Sequence, residues 1–325
     1  MTDPTYSIVI PVYNEEETLR ELQRRLSLLF DSLDGPAEVL FVDDGSTDSS
    51  YLIAIDFHRL DPRFKVIGLS RNFGHQLAIT AGLDLALGDA VIVMDADLQH
   101  PPEVILEMAK RWRDGYEVVY GVMEGRTESM VKRRTARGFY WLLRRLTDVE
   151  VPPAAGDFRL VDRKALDAFR AMRERNRYLR GMFSWIGYRQ VGVPYQCPPR
   201  FAGYSKYTLP KMMKLALDGI VGFSNLPLQL VLKVGFAVSA ASFLIGVVAI
   251  AVKIGGVFAV PGWASIVVIV SFMGGAQLVV LGVMGEYVAR IYDEVRLRPL
   301  YLLRDLHGFD DEQVAALERR NLAVR

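Results

Sequence analysis

Short apolar runs alternate with amphipathic stretches along the first hundred residues. YSIVIPVYN (6–14) is a compact β-rich run that ends in turn residues. In the following EEETLRELQRRLSLLF, Leu19, Leu22, Leu26, Leu29 and Phe30 fall on one side at helical spacing. Val39 to Val42 repeat the strand format, and Asp43, Asp44 and Gly45 make its turn. Ser46 to Ser50 offer hydroxyl oxygens that can cap the next helix. FKVIGLSRNFG predicts a third strand, HQLAITAGLDLAL a helix, and AVIVMDAD (from Ala90) a fourth strand. Strands that alternate with helices predict an α/β fold with a mostly parallel sheet. Ligands of such sheets bind beyond the carboxyl ends of the strands. Each predicted strand here ends in polar residues: Tyr13 to Glu15, Asp43 to Ser46, Arg71 to Phe73, and Asp95 to Gln99.

A different pattern occupies the C-terminal third. Residues 234–252 and 264–285 contain no charged side chain. Each is long enough for the ~20 residues that a transmembrane helix needs. Pro261 and Gly262 break the short link between them, and Trp263 suits a membrane interface. The flanks carry Lys206, Lys211, Lys214, Arg290, Arg296 and Arg298, whereas the link carries Lys253 alone. The positive-inside rule then puts both termini in the cytoplasm. The expected organisation is a catalytic domain (1–205), an interfacial amphipathic helix (206–225), a hairpin (226–286, with helices at about 230–252 and 264–285) and a juxtamembrane segment with tail (287–325). Gly274 and Gly275 allow close helix approach, within the hairpin or between subunits.

Composition narrows the chemistry. The chain has 325 residues and a formal net charge of +1, so it has no global basic field for nucleic acid. Its positive mean hydropathy comes from the hairpin. The single Cys197 excludes an intramolecular disulfide framework. The N-terminus lacks a basic segment followed by a long apolar core, so no cleavable leader is expected. Asp95 and Asp97, two apart at the end of the fourth predicted strand, would share a face and reach one divalent cation. Hard cations such as Mg²⁺ and Mn²⁺ take oxygen ligands and commonly hold substrate phosphates as well. His75 and His100 lie beside these motifs and are read as local hydrogen-bonding groups rather than metal ligands. The basic stretch Arg126, Lys132, Arg133, Arg134, Arg137, Arg144 and Arg145 suits an anionic acceptor or an anionic membrane surface.

The segments PVYNEEETL, VDDGSTDSS, SRNFGHQLAITAGLDLALGDAVIVMDADLQHPPE and GDFRL together resemble inverting family-2 glycosyltransferases of the GT-A fold. RFAGYSKY and GEYVARIYDEVRLRPLY narrow the resemblance to polyprenyl-phosphate glycosyltransferases, above all bacterial undecaprenyl-phosphate glucosyltransferases; dolichol-phosphate mannose synthase is also similar. The resemblance runs from about Tyr6 to Tyr301 and is carried by the ordered set of motifs.

It implies a GT-A catalytic domain in which Pro11, Tyr13 and Glu15 line the nucleotide pocket, with Asp44 near the base or ribose. Asp95 and Asp97 would work with Mg²⁺ or Mn²⁺, Asp97 more directly, with Gln99 beside them. Asp157 matches the catalytic aspartate, and Arg200 and Lys206 would hold phosphate oxygens of donor or acceptor. One departure is Met123, where many relatives carry an arginine; Arg126 is the candidate substitute. The implied reaction moves a sugar, glucose from UDP-glucose, to undecaprenyl phosphate on the cytoplasmic face of the membrane. A homo-oligomer is also implied. GDP-mannose or a UDP-linked amino-arabinose as donor stays open within the class. A processive polysaccharide synthase would need more helices than two, and a non-catalytic nucleotide-sugar-binding protein would bind donor without turnover. Asp157 would conventionally be a general base. A phosphate monoester has a second pKa of about 6 and is largely dianionic at neutral pH, so positioning is the expected role.

Overall fold

The computed structural model describes residues 4–124, 155–198, 226–254, 262–310 and 314–315. Four strands and three helices alternate through the first third: β1 (Tyr6–Val12), α1 (Leu19–Phe30), β2 (Ala37–Asp43), α2 (Ser50–Leu60), β3 (Phe64–Leu69), α3 (His75–Leu85) and β4 (Ala90–Val93). Then come α4 (Val104–Arg113), β5 (Val118–Glu124), β6 (Ala155–Asp162), α5 (Arg163–Ala171), α6 (Leu179–Trp185) and β7 (Gln190–Gln196). Two long helices, α7 (Leu226–Ile254) and α8 (Trp263–Val295), precede a last strand, β8 (Leu303–His307).

The strands form one 8-stranded sheet in the order β7-β5-β6-β4-β1-β2-β3-β8. β1 pairs in parallel with both β2 and β4, β2 with β3, and β5 with β7. The contacts of β6 with β4 and β5, and of β8 with β3, are antiparallel. The sheet is thus mixed and mostly parallel, as the alternating runs predict.

Alternation along each central strand builds two cores. Ile8, Ile10, Val39 and Phe41 face one side, where Leu22 and Leu26 of α1, Phe57 of α2 and Met108 of α4 cover them. Val9, Leu40 and Val42 face the other, under Ile79 of α3, Leu166 of α5 and Met182 of α6. Burial on both faces is why these strands read as continuous apolar runs rather than alternating ones. Gly82 lets α3 lie directly on β1, because a Cβ there would sit 2.2 Å from a Val9 methyl. Pro11 is tolerated inside the sheet because β4 pairs only as far as Val9, so its missing N–H leaves no ladder bond unmade.

The sequence reading has no strand after the hairpin, and here the structure differs. β8 adds an antiparallel edge to β3, pairing Val66 with His307 and Leu69 with Leu303. Just before it, Tyr301 is fully buried and donates its hydroxyl proton to Asp84 Oδ2 at 2.9 Å. Arg173 donates to both oxygens of the same carboxylate. Burial, then the Asp84 charge, hold the Tyr301 phenol well above its ordinary pKa, so it stays a donor. Tyr301→Phe would remove one charge-assisted hydrogen bond while Arg173 still covers Asp84. The expected cost is about 1.5–3 kcal/mol, read as a lowered melting temperature of the detergent-purified chain; an unchanged melting temperature would show that the bond contributes nothing net.

α7 and α8 are long and apolar enough to cross a membrane, and the 18- and 24-residue windows that qualify them are not buried against the protein. Leu230, Phe236, Phe243, Phe272 and Leu278 all face outward. So much exposed apolar surface is covered by a bilayer, and the chain is membrane-associated. The second helix runs ten residues past its predicted end at 285, to Val295. At 1.5 Å per residue it is about 50 Å long, which exceeds a hydrocarbon core of about 30 Å. The interfacial helix expected at 206–225 lies outside the described residues.

Candidate active site

β1, β2, β3 and β4 run in parallel, so their carboxyl ends share one rim, and the polar strand ends of the sequence gather there. Asn14, with φ of 53°, turns the chain after β1. Its side-chain oxygen accepts from Thr47 N–H at 2.8 Å, and Glu15 N–H donates to Ser50 Oγ at 2.8 Å. Tyr13 and Glu15 are thereby held beside the loop that follows β2, with Pro11 buried beneath them in β1. Asp44 accepts backbone N–H groups from Phe73 at 2.7 Å and Gly74 at 2.9 Å. It therefore ties the loop after β2 to the loop that opens α3. Burial raises its pKa despite those bonds. Gly74 has φ of 101°, which a side chain would strain, and it sets the entry of α3.

Asp95 and Asp97 do not lie on a strand. β4 ends at Val93, and both carboxylates belong to the turn that follows, where Leu98 has φ of 61°. The alternation argument for their shared face does not apply; the turn brings them to the rim. Asp97 Oδ1 accepts the Gln99 N–H at 3.1 Å, and the Asp95 N–H donates to His100 Nδ1 at 2.9 Å. His100 thus makes the local bond expected of it, stacked on Phe158 with ring centroids 4.8 Å apart.

Asp157 comes from β6, whose antiparallel register sets Val93 opposite Arg159. Continuing that register by two residues puts Asp157 opposite Asp95. His75, the first residue of α3, lies between them: its Nε2 is 3.4 Å from Asp95 Oδ1 and 3.6 Å from Asp157 Oδ2. Both are ion-pair rather than hydrogen-bond distances. Arg180 of α6 grips the other side of Asp157, donating Nε–H to Oδ1 at 2.9 Å and Nη2–H to Oδ2 at 3.3 Å. Asp157 does not cap the helix near Arg163, the other role its position suggests. Asp162 does that, accepting from Lys164 N–H at 2.8 Å.

Electrostatics follow from these contacts. Burial favours the neutral acid of Asp157, but the Arg180 guanidinium, with His75, outweighs it and holds the carboxyl well below the usual range. Burial opposes an imidazolium at His75, yet the charges of Asp95 and Asp157 outweigh it and raise the pKa to about 9. Arg159, buried under the same site, is lowered by burial to about 10.

The His75 shift carries a stability consequence with a definite sign. Its folded pKa lies above the unfolded value of about 6.5, so its contribution is complete below that pH and disappears as pH rises through about 9. The side chain is 39% exposed, which discounts the energy to under about 1 kcal/mol. His75→Gln in metal-free protein is therefore expected to lower the melting temperature at pH 6 but not at pH 10. An equal loss at both values would mean that packing, not charge, is what His75 supplies.

The donor set suits a hard cation. Asp95 Oδ1 is buried without a hydrogen-bond partner, an orphan acceptor beside a second carboxylate on the same turn. Among the described residues no group of three His, Cys, Asp or Glu side chains could hold a metal. An ion held by Asp95 and Asp97 would thus take its remaining ligands from phosphate oxygens and water, the usual habit of Mg²⁺.

Sequence reasoning did not assign Arg180, which sits in none of the motifs and meets Asp157 only through the packing of α6. It underrated His75, whose signal was its place at the end of SRNFGH. Met123 lies near the end of β5 and packs against the core. Arg126, Lys132, Arg133, Arg137, Arg200 and Lys206 lie outside the described residues.

A strand-end rim with an acidic turn beside a buried aspartate suits a cation-bound diphosphate, and comparison gives the class, a family of glycosyl transferases. Residues 7–170 match Glycosyl transferase family 2, and the chain belongs to that family. It is an enzyme related to the bacterial bactoprenol glucosyl transferases. An uncharacterized glycosyltransferase of Bacillus subtilis, YkcC, is 46% identical over 95% of this chain and 96% of its own length. The bactoprenol glucosyl transferase of Shigella phage SfX is 38% identical over 92% of this chain and 98% of its own. Among solved structures, the glucosyl-3-phosphoglycerate synthase of Mycobacterium tuberculosis with Mn²⁺ and UDP-glucose matches 66% of this chain and 76% of that one, with 19% identity and a TM-score of 0.45.

Proposed function

We propose that this enzyme transfers glucose from UDP-glucose to undecaprenyl phosphate, with inversion, at the cytoplasmic face of the membrane. The observation that carries the reading is the convergence of Asp95, His75 and Asp157 on the sheet rim of a chain that also bears a membrane hairpin. Similarity to bactoprenol glucosyl transferases over more than nine-tenths of the chain supports the same acceptor and sugar. The hairpin would place both termini in the cytoplasm, where nucleotide sugars are found. Gly274, Gly275, Gly282 and Gly285 have open space around them, which supports close packing against a second copy.

In this reading Pro11, Tyr13 and Glu15 line the nucleotide pocket and Asp44 fixes the loop beside it. Asp95 and Asp97 would hold a divalent ion, which when bound would supply Lewis-acid neutralisation of the leaving diphosphate. Asp157 acts by orientation. A carboxylate held so far below its usual pKa by Arg180 is a poor proton acceptor near neutral pH, and an ionised phosphate acceptor has no proton to lose. The His75 imidazolium offsets the negative charge of Asp95 and Asp157 as anionic substrates enter.

The test is transfer of labelled sugar into organic-extractable lipid by the purified full chain. It would receive undecaprenyl phosphate with UDP-glucose, UDP-galactose or GDP-mannose, and Mg²⁺, Mn²⁺ or EDTA. A metal-dependent product from UDP-glucose is expected. Product from GDP-mannose instead would reassign the sugar, and donor binding without any product would overturn the reaction.

A further inference from the structure

A second feature lies beside this rim, at the C-terminal end of α8. A cleft of about 530 Å³ opens between the end of α8, the loop after β3 and the loop between α5 and α6. Four guanidinium groups line it: Arg71, Arg175, Arg296 and Arg298. Among the described residues, no carboxylate comes within ion-pair distance of any of the four. Asp293 lines the same cleft at a greater distance. Glu294, the other nearby acid, accepts the backbone N–H of Arg175 at 2.7 Å.

The side chains are placed rather than loose. Arg71 stacks on Phe73 at 4.1 Å, and Arg296 lies over Tyr292 at 5.0 Å. The Arg175 guanidinium donates to the Arg298 carbonyl oxygen, which draws the two loops together. Four like charges gathered in one cleft repel one another unless an anion joins them, and arginine matches phosphate oxygens in pairs. Phe73, Leu77 and Leu300 give the cleft an apolar wall. Its location fits an amphiphile. Past the uncharged stretch that ends at Gly285, α8 still exposes Val288, Ile291 and Val295, so an apolar strip runs from the membrane-spanning part of the helix to the cleft, along which a lipid chain would bring its headgroup. Phe73 and Leu77 flank His75 in the chain, and His75 touches Asp157.

We propose that this cleft binds the phosphate of the polyprenyl-phosphate acceptor, with Arg71, Arg296 and Arg298 as its ligands. The inference rests on the transfer reaction proposed above and adds a place for its acceptor. The anion enters along α8 and is held next to the segment that carries His75. Arg175 braces the cleft through the Arg298 carbonyl.

The experiment uses the full chain in nanodiscs of phosphatidylcholine. Labelled undecaprenyl phosphate is titrated into wild type, Arg71→Gln and the double variant Arg296→Gln/Arg298→Gln, and UDP-glucose binding and steady-state transfer are measured on the same samples. Truncating one partner of a charged hydrogen bond weakens binding by about 10-fold or more. Undecaprenyl phosphate affinity should fall about 10-fold in the single variant and about 100-fold in the double one. KM for the lipid should rise to match, and in Arg296→Gln/Arg298→Gln, whose arginines lie outside the strand-end rim, UDP-glucose affinity should stay at the wild-type value. The substituted arginines lie on different elements, so a folding fault in one variant leaves the other to decide. Unchanged lipid affinity in both overturns the proposal, even if wild type transfers glucose. Equal displacement of the labelled lipid by phosphatidylglycerol also overturns it, because the cleft would then be a general anionic-lipid site. Wild type that transfers no sugar yet loses lipid affinity in these variants would overturn the reaction and leave the binding site standing.

Discussion

Asp157→Asn is expected to lower the rate of sugar transfer by about 10²- to 10⁴-fold, the range for a positioned group at the reacting centre, while UDP-glucose still binds. Asparagine keeps the shape of the side chain but not the charge that Arg180 and His75 face. Two cations are then left looking at each other across a buried position. Breaking a buried pair costs about 3–5 kcal/mol; the Arg180 side chain is 24% exposed, so water shares the burden and about 1–3 kcal/mol is expected. The wild-type pH–rate profile separates positioning from proton abstraction. The folded pKa of Asp157 is depressed. Its contribution to stability is therefore present above its unfolded value of about 3.9 and is lost as pH falls through the folded value. Between pH 5 and 8 it stays ionised and gives no limb. An ionisation near pH 6 in the wild-type profile that vanishes in Asp157→Asn would refute positioning and restore the general base.

Asp97→Ala is expected to reduce transfer by at least about 10²-fold, the usual effect of removing one group that offsets transition-state charge. Unlike Asp157→Asn, it should shift the response to metal: half-maximal activity would need more Mn²⁺, and Mn²⁺ bound in the presence of UDP would fall, as read by electron paramagnetic resonance. Asp95, whose Oδ1 accepts no hydrogen bond, would alone be left to hold the ion. The same metal response in variant and wild type would remove Asp97 from the cation site. Melting temperature without metal should change far less than activity, because Asp97 is only half-buried and its bond to Gln99 N–H is local to the turn.

The two carboxylates and Asp157 were legible in the sequence because each sits in a short motif with local chemistry. Their relation was not. The register that sets Val93 against Arg159, and so brings Asp157 to Asp95, joins residues more than sixty positions apart. No local periodicity encodes such a pairing, since an antiparallel strand inserted next to β4 reads like any other apolar run. The expected extension of β4 to Asp97 was wrong for a related reason. AVIV runs into MDAD with no glycine or proline to mark the end of the strand, and the turn with Leu98 at positive φ shows itself only in backbone geometry.

The hairpin is the opposite case. Two uncharged stretches of transmembrane length with basic flanks are an almost purely local signal, since a bilayer asks only for length and apolarity. What happens after it is not local. β8 is five residues long and carries Arg304, Asp305 and His307, so it does not alternate as a buried strand should. Its place is fixed by the open edge of β3, and the buried Tyr301 just before it by the Asp84 carboxylate.

The sequence by itself determined the alternating α/β order, the Asp95–Asp97 pair after the fourth apolar run, the GDF aspartate and the membrane hairpin, because each follows from hydropathy or from side-chain chemistry over a few neighbouring residues. Only the tertiary structure decided that His75 and Arg180 hold Asp157 between them, that the chain beyond α8 returns to close the sheet, and that four arginines from three separate segments line one cleft. Those are contacts between distant parts of the chain. They form when strand pairing and helix packing bury the two cores, and no short stretch of sequence contains them.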